Sequence, residues 1–204
     1  MTHQTQPGHR PGLSAVRVAL LAAAVGASVW LTACVPMVVT GAAVGAMAAV
    51  DRRTLGAQTE DQTLELKGLT QIRDTIGNTG GVSMTSYNRK VLLTGQVPDQ
   101  DTRAKVEKLV RGLPNVRDVV NELQLAPAGG LGMAAGDLAL STRVKAALIQ
   151  AAGVESQTIK VVSESGVVYL MGLVTRAEGD RAAQAASRVS GVTRVVTAFE
   201  YTGS

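Results

Sequence analysis

Two seven-residue stretches, called heptads below, decide the fold of the chain. They read Val91-Leu92-Leu93-Thr94-Gly95-Gln96-Val97 and Val168-Tyr169-Leu170-Met171-Gly172-Leu173-Val174. Each heptad is a β-rich apolar run with a glycine at the same place, and the second lies 77 residues after the first. Shorter matches lie downstream at an offset of 76 (residues 116–120 and 192–196) and upstream at an offset of 72 (residues 70–72 and 142–144). Self-similarity at one period predicts two copies of a small domain.

The repeat predicts domain 1 at residues 62–125 and domain 2 at residues 137–202, joined by a Gly/Ala/Pro-rich linker at 126–136. Helical periodicity, β-rich runs and turn signals give each copy the order helix, strand, strand, helix, strand. Three strands need a covered face. We therefore predict an α+β fold of two tandem αββαβ domains, each a three-stranded mixed sheet with two helices on one face. Units of about 65 residues are near the lower limit for independent folding, so domain 1 is expected to pack on domain 2.

Gly95 and Gly172 occupy matching strand positions. A glycine inside a strand marks a bulge or a close approach by another segment. We interpret both as structural glycines, with a helix packing closely there or the strand bulging. Tyr87 and Tyr169 are expected to be half-buried strand residues.

The amino terminus has the pattern of a secretory signal. Residues 1–17 are polar and basic, and residues 18–31 form an uninterrupted apolar run. Crossing a bilayer takes roughly 20 apolar residues, so this run is short for a membrane span. With small residues at its end, it is typical of a signal peptide, predicted at residues 1–33.

The signal ends in Leu31-Thr32-Ala33-Cys34, which resembles the bacterial lipobox. This predicts cleavage before Cys34 and its acylation, for example by palmitate. Several acyl chains on one residue make a stable anchor. Because Val35 is not Asp, resemblance to sorted lipoproteins favours the outer membrane. Residues 34–61 are interpreted as the lipidated cysteine and an apolar, flexible tether. The alternative, one membrane helix over residues 18–50, is opposed by Pro36 and the lipobox.

Cysteine and histidine usage restricts the chemistry. Cys34 is the only cysteine, and the two histidines, His3 and His9, lie in the predicted signal. The processed chain would lack imidazole and a free thiol, which excludes Cys/His zinc sites and His-activated nucleophiles. We therefore expect no metal, no cofactor and no catalytic residue. The carboxylates Asp99, Asp101, Glu178 and Asp180 lie at the starts of the second helices, where the helix dipole explains them.

Composition also argues against nucleic acid as a partner. Aromatic residues make up only 2% of the chain, which disfavours base stacking. The formal charge of +4 includes Arg10 and Arg17 of the predicted signal, so the processed chain is only mildly basic. A broad electrostatic footprint for nucleic acid is therefore not expected.

The αββαβ unit with these two heptads resembles the BON domain. With the lipobox, the whole chain resembles the dual-BON-domain outer-membrane lipoproteins. Four stretches carry the closeness: residues 51–54 with Gly56 and Gln58, residues 90–96, residues 168–175 and residues 187–192. The resemblance implies a non-enzymatic protein, lipid-anchored in the outer membrane and facing the periplasm. It also implies binding to an anionic phospholipid membrane through the first helix of domain 2, a role in envelope integrity, and enrichment at division sites.

The first helix of domain 2 has an unusual outer face. With Leu140 at the centre of the core side, Leu138 and Ile149 fall about 160° and 180° away, since each residue advances 100°. Thr142 and Lys145 lie between them, and Arg143 lies at the edge. Two bulky apolar residues beside a cation suit an anionic lipid surface. Two alternatives stay open: packing against domain 1 or a partner, and scattered surface hydrophobics.

Ala139 departs from the family pattern, because the relatives carry a large aromatic residue there. Aromatic side chains anchor well at the lipid–water interface, so we expect weaker or shallower lipid binding here. The predicted lipid-binding set is thus Leu138, Ala139, Thr142, Arg143, Lys145 and Ile149. The alternative function is a protein-binding adaptor for an envelope assembly or remodelling complex, with an envelope protein partner on the same helix or on a sheet face.

Overall fold

The computed structural model describes residues 51–77, 81–126 and 131–203. The signal peptide, Cys34 and the tether as far as residue 50 lie outside these residues. Domain 1 comprises α1 (Leu55–Ile76), β1 (Gly81–Tyr87), β2 (Lys90–Val97), α2 (Gln100–Arg111), β3 (Asp118–Asn121) and β4 (Gln124–Leu125). Domain 2 comprises α3 (Leu131–Gln150), a 3-10 helix (Ser156–Thr158), β5 (Ile159–Glu164), β6 (Val167–Val174), α4 (Arg176–Ser187), β7 (Arg194–Thr197) and β8 (Glu200–Tyr201).

Each domain contains one mixed sheet. In domain 1, β2 is central, antiparallel to β1 and parallel to β3 and β4. The pairing of β2 with β3 keeps the same register on β4, so these two short strands act as one interrupted third strand. Domain 2 repeats this arrangement with β6 in the centre, and β7 and β8 along one side of it. The predicted α+β fold with mixed sheets is confirmed.

Two helices cover one face of each sheet. In domain 1, the helix-side core holds Leu64, Ile72, Val91, Leu93, Val97, Val106 and Val110. In domain 2, it holds Leu140, Val144, Leu148, Val168, Leu170, Val174, Ala182 and Ala186. Ala182 and Ala186 of α4 are completely buried, and their small size lets that helix pack close to the sheet.

The start of α1 is set by a side-chain cap. The Thr54 hydroxyl oxygen accepts a hydrogen bond from the Ala57 N–H at 3.1 Å, which satisfies one of the free donors of the first helical turn. The helix therefore begins at Leu55, within the range 34–61 that the sequence suggested as tether.

An aspartate on α1 holds the β1–β2 turn. Asn88 and Arg89 have φ of 51° and 65°, the two positive values of a tight hairpin turn. The buried Asp61 carboxylate accepts hydrogen bonds from the N–H groups of Asn88 (2.7 Å) and Arg89 (2.8 Å), and from the Ser86 hydroxyl (2.7 Å). The first helix and the hairpin of domain 1 are thereby joined.

Asp137 repeats this contact in domain 2. Its carboxylate accepts from the N–H groups of Ser165 at 3.0 Å and Gly166 at 3.4 Å. Asp61 and Asp137 are 76 residues apart, as are the buried Leu64 and Leu140. The structural offset of the first helices is therefore 76, and the upstream match at 72 was one helical turn out of register.

The two structural glycines lie against the backbone of the segment that precedes their strand. A Cβ on Gly95 would lie 1.8 Å from the Gly81 carbonyl oxygen, and Gly95 has φ of +105°. A Cβ on Gly172 would lie 2.8 Å from the Thr158 carbonyl oxygen. The close approach comes from the backbone of the preceding segment of each hairpin, not from the helix considered from sequence.

The second face of each sheet is buried between the domains. One apolar cluster joins Tyr87 and Leu92 of domain 1 to Val167, Tyr169, Met171, Leu173 and Ala198 of domain 2. Tyr87 and Tyr169 are 5% and 0% exposed, so the expectation that they are half-buried was wrong. Both face the other domain instead of solvent. Burial raises the pKa of Tyr169 to about 12.

Polar contacts surround this cluster. The Tyr87 hydroxyl donates to the Thr158 carbonyl at 2.8 Å. Lys160 pairs with Glu65 at 2.8 Å, and Arg194 pairs with Glu122 at 2.9 Å. Each pair joins one domain to the other, so domain 1 packs on domain 2.

The contacts of Gly95 predict a large effect of a single methyl group. Gly95→Ala should lower the free energy of unfolding by about 3 kcal/mol or more, because positive φ and a backbone clash both oppose the side chain. Denaturant unfolding measures this. Gly81→Ala is the matched control on the paired strand, since a Cβ there meets no atom within 4 Å. Equal stabilities for the two variants would contradict the assignment.

Candidate functional site

The outer face of α3 is the candidate site, and its exposure agrees with the helical rotation inferred from sequence. Leu138 is 72% exposed and Ile149 is 66% exposed. Ala139, Thr142 and Arg143 are also exposed. The opposite side of the helix supplies the buried Leu140, Val144 and Leu148. The structure thus separates a core side from an apolar solvent side on one helix.

The polar atom of Thr142 is satisfied within the helix. Its hydroxyl donates to the Leu138 carbonyl at 3.0 Å. Residues four apart on a helix are neighbours on its surface, so Leu138, Thr142 and Ala146 follow one another towards Ile149. The stripe along α3 is therefore largely apolar in character.

Lys145 differs from its expected role. Its side chain is partly buried, and its ammonium donates to the Ser156 carbonyl and, at 2.8 Å, to the Ile159 carbonyl. Burial lowers the pKa of Lys145. The long methylene chain allows the charge to fold back onto the backbone. Lys145 therefore ties α3 to the segment that follows it, and Arg143 is the exposed cation of the predicted set.

A shallow groove of about 530 Å³ runs beside this stripe, between α3 and β5. Thr142, Lys145, Ala146, Ile149, Ile159 and Val161 are among its lining residues. The groove places carbon surface next to the exposed part of the helix.

The segment of residues 155–158, called here the junction loop, connects several elements. Its Ser156 carbonyl accepts from Lys145 of α3, and its Thr158 carbonyl accepts from Tyr87 of domain 1. Its Glu155 N–H donates to the Glu178 carboxylate of α4 at 3.0 Å. The first helix of domain 2, its second helix and domain 1 therefore meet at four residues.

Arg52, which precedes α1, also makes contacts at the junction loop. Its guanidinium donates to the Glu178 carboxylate at 2.7 Å and to the Leu173 carbonyl at 2.6 Å. It also lies 3.1 Å from the Glu155 carboxylate. The next residue, Arg53, turns to domain 1, where it pairs with Asp61 at 2.8 Å and lies over the Tyr87 ring.

Glu178 has a role that the sequence did not reveal. The helix dipole accounts for a carboxylate at the start of α4, but the Glu178 side chain is only 5% exposed and is also paired with Arg52. Burial alone would raise the pKa of Glu178. Hydrogen bonds from Arg52 and from the Glu155 N–H outweigh burial and bring this pKa below its ordinary 4.5. Residues 51–54 were noted for their family resemblance, but a contact over 126 positions leaves no periodic signal.

Two further features bear on function. Within the described ranges, no helix combines the length and apolar character needed to cross a bilayer. Over the same part of the chain, no three His, Cys, Asp or Glu side chains come together where they could hold a metal ion.

The pairing of Glu178 predicts a pH-dependent stability. A carboxylate with a lowered pKa stabilises the fold above its unfolded value, and this contribution is lost as pH falls through the folded pKa. Glu178→Gln should therefore lower the free energy of unfolding by about 1–3 kcal/mol near pH 7. The difference from wild type should shrink below pH 4.5, the ordinary pKa of the group.

Denaturant unfolding at a series of pH values measures this difference. Asp101→Asn, which changes an exposed carboxylate in the first turn of α2, is the control and should stay within about 0.5 kcal/mol of wild type. A Glu178→Gln difference that is independent of pH would contradict the pairing.

Comparison with known proteins assigns the family. The BON domain matches residues 61–127 and 136–203. The chain is 39% identical over 183 residues to the Outer membrane lipoprotein DolP of Haemophilus influenzae, covering 89% of this chain and 95% of that protein. It is 30% identical over 154 residues to the 21 kDa hemolysin of Actinobacillus pleuropneumoniae, covering 74% of this chain and 79% of that protein.

A third relative is the Osmotically-inducible protein Y of Escherichia coli, which is 32% identical over 136 residues, or 65% of this chain and 67% of that protein. The two family matches coincide with the two αββαβ units of the structure. The chain belongs to the BON-domain family and carries two BON domains.

Proposed function

We propose that this chain is a non-enzymatic lipoprotein, anchored through acylated Cys34 in the outer membrane and facing the periplasm. Its second BON domain binds anionic phospholipid and so supports envelope integrity, including at division sites. The relative named as an outer membrane lipoprotein supports the location. The observation that carries lipid binding is the exposure of Leu138 and Ile149 on the outer face of α3.

The energetics suit a steering contact. Burying one Leu or Ile side chain in the acyl boundary contributes about 1.5–3 kcal/mol. A cation such as Arg143 adds about 1 kcal/mol near an anionic surface. These amounts are too small to hold a protein on a membrane alone, but the acyl anchor keeps α3 close to the lipid. Ala139 offers no aromatic anchor, which favours shallow binding.

Structural partners of the carboxylates support a non-enzymatic role. Asp99 accepts from the Thr102 N–H at 2.7 Å and caps α2. Glu178 pairs with Arg52, which accounts for its burial. Both groups have positions explained by folding, as expected where charges are capped or paired.

A second candidate is a protein-binding adaptor. The groove between α3 and β5 lies beside the same exposed stripe, and such a groove can also receive a partner's side chains. This function would engage an envelope assembly or remodelling protein in place of lipid.

Vesicle binding separates the two functions. The chain lacking residues 1–34 should bind vesicles that contain phosphatidylglycerol more tightly than neutral vesicles, and added salt should weaken this binding. Ile149→Asp and Leu138→Asp should each weaken it by about tenfold or more, because each loses apolar burial and brings a charge to the lipid. Co-sedimentation with vesicles measures the affinity.

Leu66→Asp is the matched control, since Leu66 is 71% exposed on α1 of domain 1. It should leave the affinity unchanged. Equal losses for Leu66→Asp and Ile149→Asp would contradict a site on α3. Capture of one envelope protein without any vesicle binding would favour the adaptor.

A further inference from the structure

We infer that Arg52 is a positioning residue, which latches residues 51–54, the anchored segment that leads from the proposed lipid anchor into α1, onto domain 2 at the junction loop and so holds the outer face of α3 towards the membrane. This inference rests on the proposed function. It assigns to the chain between anchor and domains a part in orienting the lipid-binding helix.

The latch lies where the anchored segment meets the folded domains. Residues 51–54 lead directly into α1 of domain 1, yet Arg52 reaches across to Leu173 and Glu178 of domain 2. Arg53 meanwhile pairs with Asp61 of domain 1. Two adjacent side chains therefore fix the incoming segment to both domains.

The repeat shows that this contact is specific to domain 2. Asp99 and Thr175 are equivalent caps, each accepting from an N–H three residues later, that of Thr102 and that of Glu178. The position equivalent to Glu178 in domain 1 is thus Thr102. A buried carboxylate is costly unless it is paired, so its presence only in domain 2 fits a site built to receive a cation.

Direct contacts connect the latch to α3. Arg52 lies 3.1 Å from Glu155, the adjacent Ser156 carbonyl accepts from Lys145, and Ile149 follows Lys145 by one helical turn. An anchored segment held at the junction loop therefore lies close to the lipid-facing stripe. Without Arg52, the anchored segment would be connected to α3 only through domain 1 and the interface between the two domains.

We expect Arg52 to affect how α3 is oriented towards the membrane, and not the intrinsic affinity of its exposed face for lipid. Attachment of the anchored segment to domain 2 as well as to domain 1 restricts the orientations in which the anchored protein can meet the surface, and loss of Arg52 removes the attachment to domain 2. Arg52→Gln should therefore spare the vesicle affinity of the chain lacking residues 1–34. The same substitution should reduce lipid contact by α3 in the acylated protein.

The test uses the full acylated protein in vesicles of phosphatidylglycerol and phosphatidylethanolamine, read by hydrogen exchange of residues 138–150. Protection of these residues should fall by about threefold or more in Arg52→Gln. Arg194→Gln is the matched control, because Arg194 also pairs across the domains, with Glu122 at 2.9 Å, and this pair shares no hydrogen-bond partner with Arg52.

The outcomes separate the two claims. If the wild-type chain lacking residues 1–34 binds no vesicle, the proposed function fails and the positioning role fails with it. If that chain binds but Arg52→Gln leaves α3 protection at the wild-type level, only the positioning role is overturned. Should Arg52→Gln fold poorly, Arg52→Lys, which keeps the charge but loses the paired geometry, must show an intermediate loss of protection.

Discussion

The constraint on which the structure depends is the burial of both faces of the two central strands. Val168 and Leu170 face the helices of domain 2, while Tyr169 and Met171 face domain 1. A strand that is apolar on both sides needs two partners, one for each face. Domain 1 supplies the second partner, so the tandem arrangement is part of the core.

This shared core gives the duplicated units different tasks. The hairpin turns, a side-chain cap on the second helix and the close-packed glycine recur in both copies and maintain the fold. The differences lie on domain 2, which alone has a carboxylate, Glu178, at the third position of its second helix. Its first helix carries Leu138 and Ile149 where the equivalent positions of α1 are Gln62 and Arg73. The duplication thus provides a common scaffold, and domain 2 differs from domain 1 in the outer face of its first helix and in the carboxylate that binds Arg52.

Periodicity was enough to predict what is local. The heptads identified β2 and β6, the turn signals identified the hairpins, and the 100° rotation placed Leu138 and Ile149 on the exposed side of α3. Periodicity does not encode which long side chain folds back. Lys145 was therefore expected at the lipid-facing surface, while its ammonium binds two backbone carbonyls.

Contacts between distant segments were also beyond sequence reasoning. An apolar strand predicts burial but does not say what covers its second face, so Tyr169 was expected to be half exposed. Likewise, the Arg52–Glu178 pair depends on how the two domains meet. Such pairs follow from tertiary packing, which no local pattern in the sequence encodes.

Two polar contacts fix α3 to the rest of domain 2 and limit how this helix could respond to a bilayer. Asp137 binds the hairpin turn near the start of the helix, and Lys145 binds the junction loop near its end. A helix fastened at two points cannot roll or sink independently of the sheet beneath it. In the proposed membrane-bound state, the depth of penetration would then be set by how far Leu138 and Ile149 project, so insertion would be shallow and would depend on how loosely the lipid headgroups pack.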